Sequence, residues 1–411
     1  MIDLIKKIRL IQYLYKRIGW IRSLYYQVIA YSAAVRYRFP SKHIKVIGIT
    51  GTKGKTSSVE ILAYVLQQSG LKVASISSAR ITINGSTRKN RTGNSMPARF
   101  FLQKFLRSAV DAGCSYAIIE VTSQGVAMHR HRGIQWDCGV LTNLHPEHID
   151  WHGSYQKYRK AKVRFLEKVA QDRGVIFLNK HDKESLGIAM ELEKKQHSIA
   201  RYFDRKTVQS VGEKNPYFVG DFSRDNAALA EAIASRYGVA RDVIEEALGR
   251  FKGVEGRFEK IKEYPFTVII DYAHTPDSLE ALYSTARVGS KKMICVLGSA
   301  GGGRDVWKRS KMGEIAGKYC DHIIITNEDP YDESPRAIIE QVYEGVPREK
   351  KDKTTRILDR KEAIKKALQF AKQGDVVVLS GKGSEDAIHV AGGKTIPWNE
   401  REITEELLRE K

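Results

Sequence analysis

The stretch Gly48-Ile-Thr-Gly-Thr-Lys-Gly-Lys-Thr-Ser57 follows the apolar run Ile44-Lys-Val-Ile47 and precedes a helical pattern from Val59 to Leu66. A strand, a glycine turn and a helix N-terminus in that order form a cradle for phosphate, because the first backbone N–H groups of a helix have no partners inside it. Gly51 and Gly54 let backbone N–H groups turn inward, Lys55 supplies a point charge for β- and γ-phosphates, and the Thr56 hydroxyl is suited to Mg²⁺. The expected ligand is a nucleoside triphosphate. The spacing departs from the usual phosphate-loop pattern: Ile49 stands at the first glycine position, and the nearest upstream glycine is Gly48.

Apolar strands continue on both sides of a boundary near residue 252. Val46-Ile-Gly-Ile, Ala117-Ile-Ile-Glu-Val and Gly174-Val-Ile-Phe-Leu alternate with helical stretches up to about Gly249, which predicts a doubly wound parallel sheet. A second series, Thr267-Val-Ile-Ile, Met293-Ile-Cys-Val-Leu, His322-Ile-Ile-Ile and Asp375-Val-Val-Val-Leu, predicts a separate Rossmann-like α/β domain. The chain is therefore expected to be α/β, with a basic helical segment over 1–43, a central ATPase-type domain over 44–252 and a C-terminal domain over 253–411.

Composition narrows the setting. The net charge of +21 suits anionic partners, and residues 1–45 hold ten Lys or Arg against one acid, Asp3. No RNA-binding signature accompanies it, so nucleic acid is not an expected partner. Cys114, Cys138, Cys295 and Cys320 are scattered, which indicates neither a disulfide framework nor a zinc ribbon and fits a reducing cytoplasm. The apolar stretches are too short to span a bilayer, and the N-terminus does not read as a signal peptide.

Two further groups carry chemistry. Glu120 ends the run Ala117-Ile-Ile at a strand's carboxyl end, where ligands bind in open α/β sheets, and is a candidate Mg²⁺ ligand. His145, Glu147, His148, Asp150 and His152 crowd one segment ten residues before Lys162, and read equally as a hydrogen-bonded loop cluster or a metal site.

The order of these motifs resembles the Mur ligase family, the ATP-dependent amino-acid ligases of peptidoglycan synthesis, and within it the muramyl-tripeptide synthetases. Thr50-Gly-Thr-Lys-Gly-Lys-Thr56 is similar to the family phosphate loop, with Lys53 where asparagine is common. Glu120-Val-Thr-Ser-Gln-Gly125, followed by His129-Arg130, resembles the family segment E-V-S-S-H-G, with Gln124 replacing the histidine. Asn143-Leu to Gly153, continued to Lys162, resembles the segment whose lysine is carbamylated. The resemblance implies that Gly51, Thr52, Lys53, Gly54, Lys55, Thr56 and Ser57, with Asn226, Arg257, Asp271 and His274, bind ATP. It also implies catalytic roles for Lys55, Lys162 and His148, and Mg²⁺ held by Thr56, Glu120, His148 and carbamylated Lys162. A carboxylate would become an acyl phosphate that an amine then attacks.

The same resemblance places Thr122, Arg130, Arg304, Asp329, Tyr331, Gly381 and Glu385 against the acceptor or the incoming amino acid. Diaminopimelate-adding members carry D-N-P-R, whose arginine grips a carboxylate, whereas this chain reads Thr326-Asn-Glu-Asp-Pro-Tyr331. Tyr331 offers no charge, and Asp329 would suit a cationic side chain such as lysine. Ser380-Gly-Lys-Gly-Ser-Glu385 resembles G-K-G-H-E, with Ser384 in place of the histidine. Where the family has a uridine-binding domain, only the basic segment 1–43 stands, and it is expected to pack on the central domain, to line a substrate cleft facing the anionic acceptor, or to touch an anionic membrane. The expectation is a monomeric, cytoplasmic ligase taking a muramyl-peptide-type anionic acceptor and a free amino acid. A folyl, poly-glutamyl or lipid-linked acceptor, or a non-catalytic nucleotide-binding scaffold, are the alternatives.

Overall fold

The computed structural model describes residues 19–195, 200–303 and 306–410. Arg304 and the start of the basic segment therefore lie outside the described residues. The chain divides into two compact units, Met1–Phe251 and Lys252–Lys411.

In the first unit the strands β1 (Lys45–Thr50), β2 (Val73–Ile76), β3 (Arg80–Ile83), β4 (Ser86–Lys89), β5 (Tyr116–Glu120), β6 (Cys138–Leu141), β7 (Val175–Asn179) and β8 (Arg201–Phe203) form one sheet, ordered β4-β3-β2-β5-β1-β6-β7-β8. From β2 to β8 the pairing is parallel, as the sequence pattern predicts. The antiparallel hairpin β3–β4 extends one edge, turned by Asn84 and Gly85, both at positive φ. The helices are α1 (Gly19–Arg36), α2 (Lys55–Gln68), α3 (Arg99–Asp111), α4 (Ser123–Ala127), α5 (Ile149–His152), α6 (Tyr155–Gln171), α7 (Lys183–Lys194), α8 (Gln209–Lys214), α9 (Asp221–Arg236) and α10 (Arg241–Arg250).

β1 sits centrally, and Val46, Ile47 and Ile49 are wholly buried. Val46, Ala117, Ile119, Leu141 and Ile176 from the strands join Leu102 and Phe105 of α3, and Phe165, Leu166 and Val169 of α6, in one apolar layer. Burying each Val, Leu, Ile or Phe side chain of this layer contributes about 2 kcal/mol, which holds the central strands and these helices together. Their carboxyl ends carry the loops considered below.

The second unit has the sheet order β13-β12-β11-β14-β10-β9, built from β9 (Glu259–Lys262), β10 (Thr267–Asp271), β11 (Met293–Leu297), β12 (His322–Thr326), β13 (Thr354–Ile357) and β14 (Val376–Ser380). Only β9 runs antiparallel. The helices α11 (Pro276–Ala286), α12 (Lys308–Tyr319), α13 (Pro335–Glu344), α14 (Arg360–Phe370) and α15 (Glu400–Arg409) complete it, with a small ribbon of β15 (Ala387–Val390) and β16 (Lys394–Pro397). The buried pair Arg360–Glu400, at 2.6 Å, ties α14 to α15, and Arg360 also donates to the Ser380 carbonyl at the end of β14.

Candidate active site

The phosphate loop leaves β1 at Thr50 and enters α2 at Lys55, with Gly54 capping the helix in the left-handed region. The end of β6 clasps it. Thr52 N donates to the Asn143 carbonyl at 2.9 Å, Lys53 N to Asn143 Oδ1 at 2.9 Å, and Thr142 Oγ1 to the Lys53 carbonyl at 2.6 Å. A Cβ on Gly51 would stand 1.8 Å from Thr142 Oγ1, so the close approach admits only glycine. Lys55 Nζ folds back to the Gly51 and Thr52 carbonyls at 3.1 and 2.9 Å, and Thr56 and Ser57 are buried in the first turn of α2. Asn226, on α9, accepts from Ser58 Oγ at 3.0 Å, directly over Gly54.

Glu120 reaches the same place from the end of β5. Thr56 Oγ1 donates to Glu120 Oε2 at 3.0 Å, while Ser78 N donates at 2.8 Å and Ser78 Oγ at 3.1 Å. A hydroxyl and a carboxylate make an all-oxygen donor set of the type Mg²⁺ takes, so these residues fit that ion. Ser78 carries no sequence signal of this role, being a bare serine after a four-residue strand.

Lys162, on α6, is 2 % exposed, and its amine donates to the Gly51 carbonyl at 2.6 Å and lies 4.7 Å from the centre of the Tyr158 ring. Burial and then the neighbouring Lys55 charge hold its pKa well below that of a free lysine, against Glu147 and Glu120. The neutral amine is thereby favoured. His148 also lies near Tyr158, ring centres 6.1 Å apart, and its backbone is left-handed. Its side chain is 47 % exposed, yet loss of water around the ring, followed by the Lys55, Lys162 and Lys53 charges, pushes its pKa down to about 4 against Glu147. Glu147 is buried and pairs with Lys53 at 2.6 Å.

The crowded histidine segment spreads out. His152 contacts Ser123 Oγ at 3.0 Å, while His145 is exposed and its N–H donates to Thr52 Oγ1 at 2.9 Å. Among the described residues no three His, Cys, Asp or Glu side chains gather as a metal cluster. Thr122 caps α4 by accepting from Gly125 N at 3.0 Å, and Arg130 donates to the Met96 carbonyl.

The second unit assembles its own constellation. Asp271, at the end of β10, accepts from Phe258 N at 2.6 Å and Ala273 N at 2.7 Å, and so ties together the two loops carrying Arg257 and His274. The Arg257 guanidinium lies 4.2 Å from the Tyr272 ring centre, and His274 Nδ1 is 2.7 Å from the Tyr272 carbonyl. Tyr272 donates to Glu385 Oε1 at 2.9 Å, and the wholly buried Lys382 bridges Glu385 at 2.7 Å and Asp329 at 2.9 Å. Asp329 Oδ1 also accepts from His389 N at 2.8 Å, so its carboxylate serves an internal ion pair. Tyr331 stacks on His389, ring centres 5.2 Å apart at 11°. Gly381 abuts buried Glu328, whose pKa burial raises to about 7 against Lys308, Arg360 and Lys382. Lys382 was missed from sequence, where a lysine between two glycines gives no sign of burial.

The chain resembles known proteins over most of its length. The Mur ligase middle domain matches residues 49–224, and the Mur ligase glutamate ligase domain matches residues 256–383. The UDP-N-acetylmuramoyl-L-alanyl-D-glutamate–2,6-diaminopimelate ligase of Syntrophomonas wolfei is 32 % identical over 404 residues, covering 93 % of this chain and 82 % of its own. The chain belongs to the Mur ligase family. A UDP-N-acetylmuramyl-tripeptide synthetase of Roseiflexus is 33 % identical over 404 residues, covering 90 % of this chain and 79 % of its own. Among solved structures, a diaminopimelate ligase of this family has a TM-score of 0.59 at 23 % identity, covering 89 % of this chain and 78 % of its own. The folylpolyglutamate synthase of Mycobacterium tuberculosis, crystallised with ADP and AMPPCP, has a TM-score of 0.65 at 16 % identity, covering 86 % of this chain and 92 % of its own. Both show the fold alone. As a Mur ligase the chain is an ATP-dependent enzyme that forms amide bonds, and the folyl alternative is the less supported one.

Proposed function

We propose that this Mur ligase joins a neutral or cationic amino acid to the carboxylate of a muramyl-peptide precursor, with Lys162 carbamylated in the working enzyme. The observation that carries the reading is the buried Lys162 amine, held 2.6 Å from the Gly51 carbonyl of the phosphate loop and biased toward its neutral form. Only a neutral amine has the lone pair that attacks CO₂. The N–C bond forms, one C=O π pair moves to oxygen, and an N–H proton leaves to solvent. The product is an anionic oxygen ligand in place of the amine.

Thr56 and Glu120 would hold one Mg²⁺, and His148 with the Lys162 carbamate a second, supplying positive charge beside the transferring phosphoryl group. Lys55 adds a fixed charge to the same loop, and the backbone N–H groups at the start of α2 would orient the phosphates. Arg130 and Thr122 border the acceptor in this reading, while Arg257, Asp271 and His274 shape a nucleotide-facing loop. Tyr331 replaces a carboxylate-gripping arginine with a neutral ring stacked on His389, which disfavours diaminopimelate. Asp329, paired with Lys382, orders the Gly381–Glu385 loop in place of gripping the amino acid. We place the enzyme in the cytoplasm as a monomer; its four buried free cysteines suit a reducing compartment.

The test is trapping of the acyl phosphate by hydroxylamine in wild type and Lys162→Met. The variant should bind ATP normally and lose trapped product by about a thousandfold. Wild-type activity should fall in carbonate-free buffer and return with bicarbonate. Undiminished trapping by Lys162→Met would overturn the assignment.

A further inference from the structure

α1 is built into the first unit by one face and turns a greasy face outward. Ala30, Ala33 and Ala34 are buried, the Ala30 carbonyl lies against Gly133, and Ser23 Oγ meets His129 Nε2 at 2.9 Å. The Arg99 guanidinium sits 4.4 Å from the Tyr26 ring centre. These contacts fix which face points out.

On that outer face Leu24, Val28, Tyr31 and Val35 are 55, 56, 46 and 61 % exposed. Their spacing, four then three then four residues, aligns them in one stripe. A surface helix of an ordinary globular unit shows the reverse pattern, with apolar residues inward and polar residues outward. Arg22, Arg36, Arg38 and Lys42 are exposed on the same segment, and no acid occurs from residue 19 to residue 45. The wider segment 1–45 holds ten Lys or Arg and one Asp.

We propose that this face of α1 seats on an anionic lipid bilayer, lying in the interface plane. An exposed apolar stripe on a segment whose charges are all cationic matches a surface that offers hydrocarbon below a layer of negative headgroups. No described helix is long and apolar enough to cross a membrane, so the contact is peripheral. A second copy of this chain is a poor occupant, because pairing the two stripes would set two segments of net charge +9 face to face (ten positive less one negative). The contact of Ser23 with His129 places this helix beside Arg130, so ligation would take place close to the membrane surface.

The full chain is tested by co-sedimentation with vesicles of phosphatidylcholine alone and with added phosphatidylglycerol, without substrates, so the result is independent of the ligase reading. Binding should require phosphatidylglycerol and weaken as salt rises from about 0.1 M to about 1 M, where the Debye length falls from about 10 Å to about 3 Å. The triple variant Leu24→Glu, Val28→Glu, Val35→Glu should lose about tenfold or more in partitioning with an unchanged melting temperature. Replacing Arg22, Arg36 and Arg38 by glutamine should weaken binding to charged vesicles selectively. Wild type that fails to bind charged vesicles, or a triple variant that binds as well as wild type, overturns the proposal. So does a wild-type dimer that the triple variant dissolves while neither binds lipid.

Discussion

Replacing Gly54 by alanine should destabilise the first unit by about 2 kcal/mol, in two separable halves. Gly54 caps α2 at φ 81°, a left-handed conformation that costs a residue bearing a Cβ about 1 kcal/mol. The new Cβ would also stand 2.6 Å from Asn226 Oδ1, which accepts the Ser58 hydroxyl at 3.0 Å. Displacing Asn226 breaks that buried hydrogen bond, at a cost of about 1 kcal/mol. In an Asn226→Ala background the bond is already gone, and the three atoms nearest the added Cβ all belonged to Asn226. Gly54→Ala should then cost only the backbone half, leaving a coupling of about 1 kcal/mol between the sites. Urea unfolding of the four proteins, followed by tryptophan fluorescence, measures it. Equal costs in the two backgrounds, within about 0.3 kcal/mol, would refute the steric account. A total cost below about 0.5 kcal/mol in wild type would refute the backbone half as well.

Burial raises the Glu328 carboxyl to about 7 from an unfolded value of 4.5, so the folded chain holds this proton more tightly than the unfolded one. Its stabilising contribution is whole below about 4.5, is lost as pH rises to about 7 and is level above; the stability of wild type relative to Glu328→Gln should fall across that window, and a pH-independent difference would contradict it. At Tyr331 the specificity constant kcat/KM should be higher for lysine or alanine than for diaminopimelate, and the reverse order would remove the tyrosine argument.

The phosphate loop was legible because a strand, two glycines, a lysine and a threonine lie within a dozen residues, and local chemistry sets their geometry. Glu120 was legible for a related reason, since it closes an apolar run and the carboxyl ends of parallel strands face the same crevice. Asn226 came only from resemblance: it meets α2 from a helix far along the chain, and nothing in its own neighbourhood records that contact. Ser78 and Lys382 were missed because their roles come from tertiary placement. Ser78 positions the Glu120 carboxylate across neighbouring strands, and Lys382 is stabilised in a buried site by carboxylates on two different loops. The β3–β4 hairpin escaped notice because Ser86–Lys89 is exposed throughout and shows no apolar alternation. Asp329 read as open to a cationic substrate until the structure supplied its internal partner.

Coupling between ATP cleavage and bond formation tests the central claim most directly. Phosphate release is measured with a muramyl-dipeptide acceptor, with and without UDP, across a panel of amino acids, alongside the new amide counted by mass spectrometry. The account predicts one phosphate per amide, release that requires both acceptor and amino acid, and a loss of about a thousandfold in Lys55→Ala with the fold intact. Phosphate release at the same rate without acceptor or amino acid, or amide formation undiminished in Lys55→Ala, would contradict it.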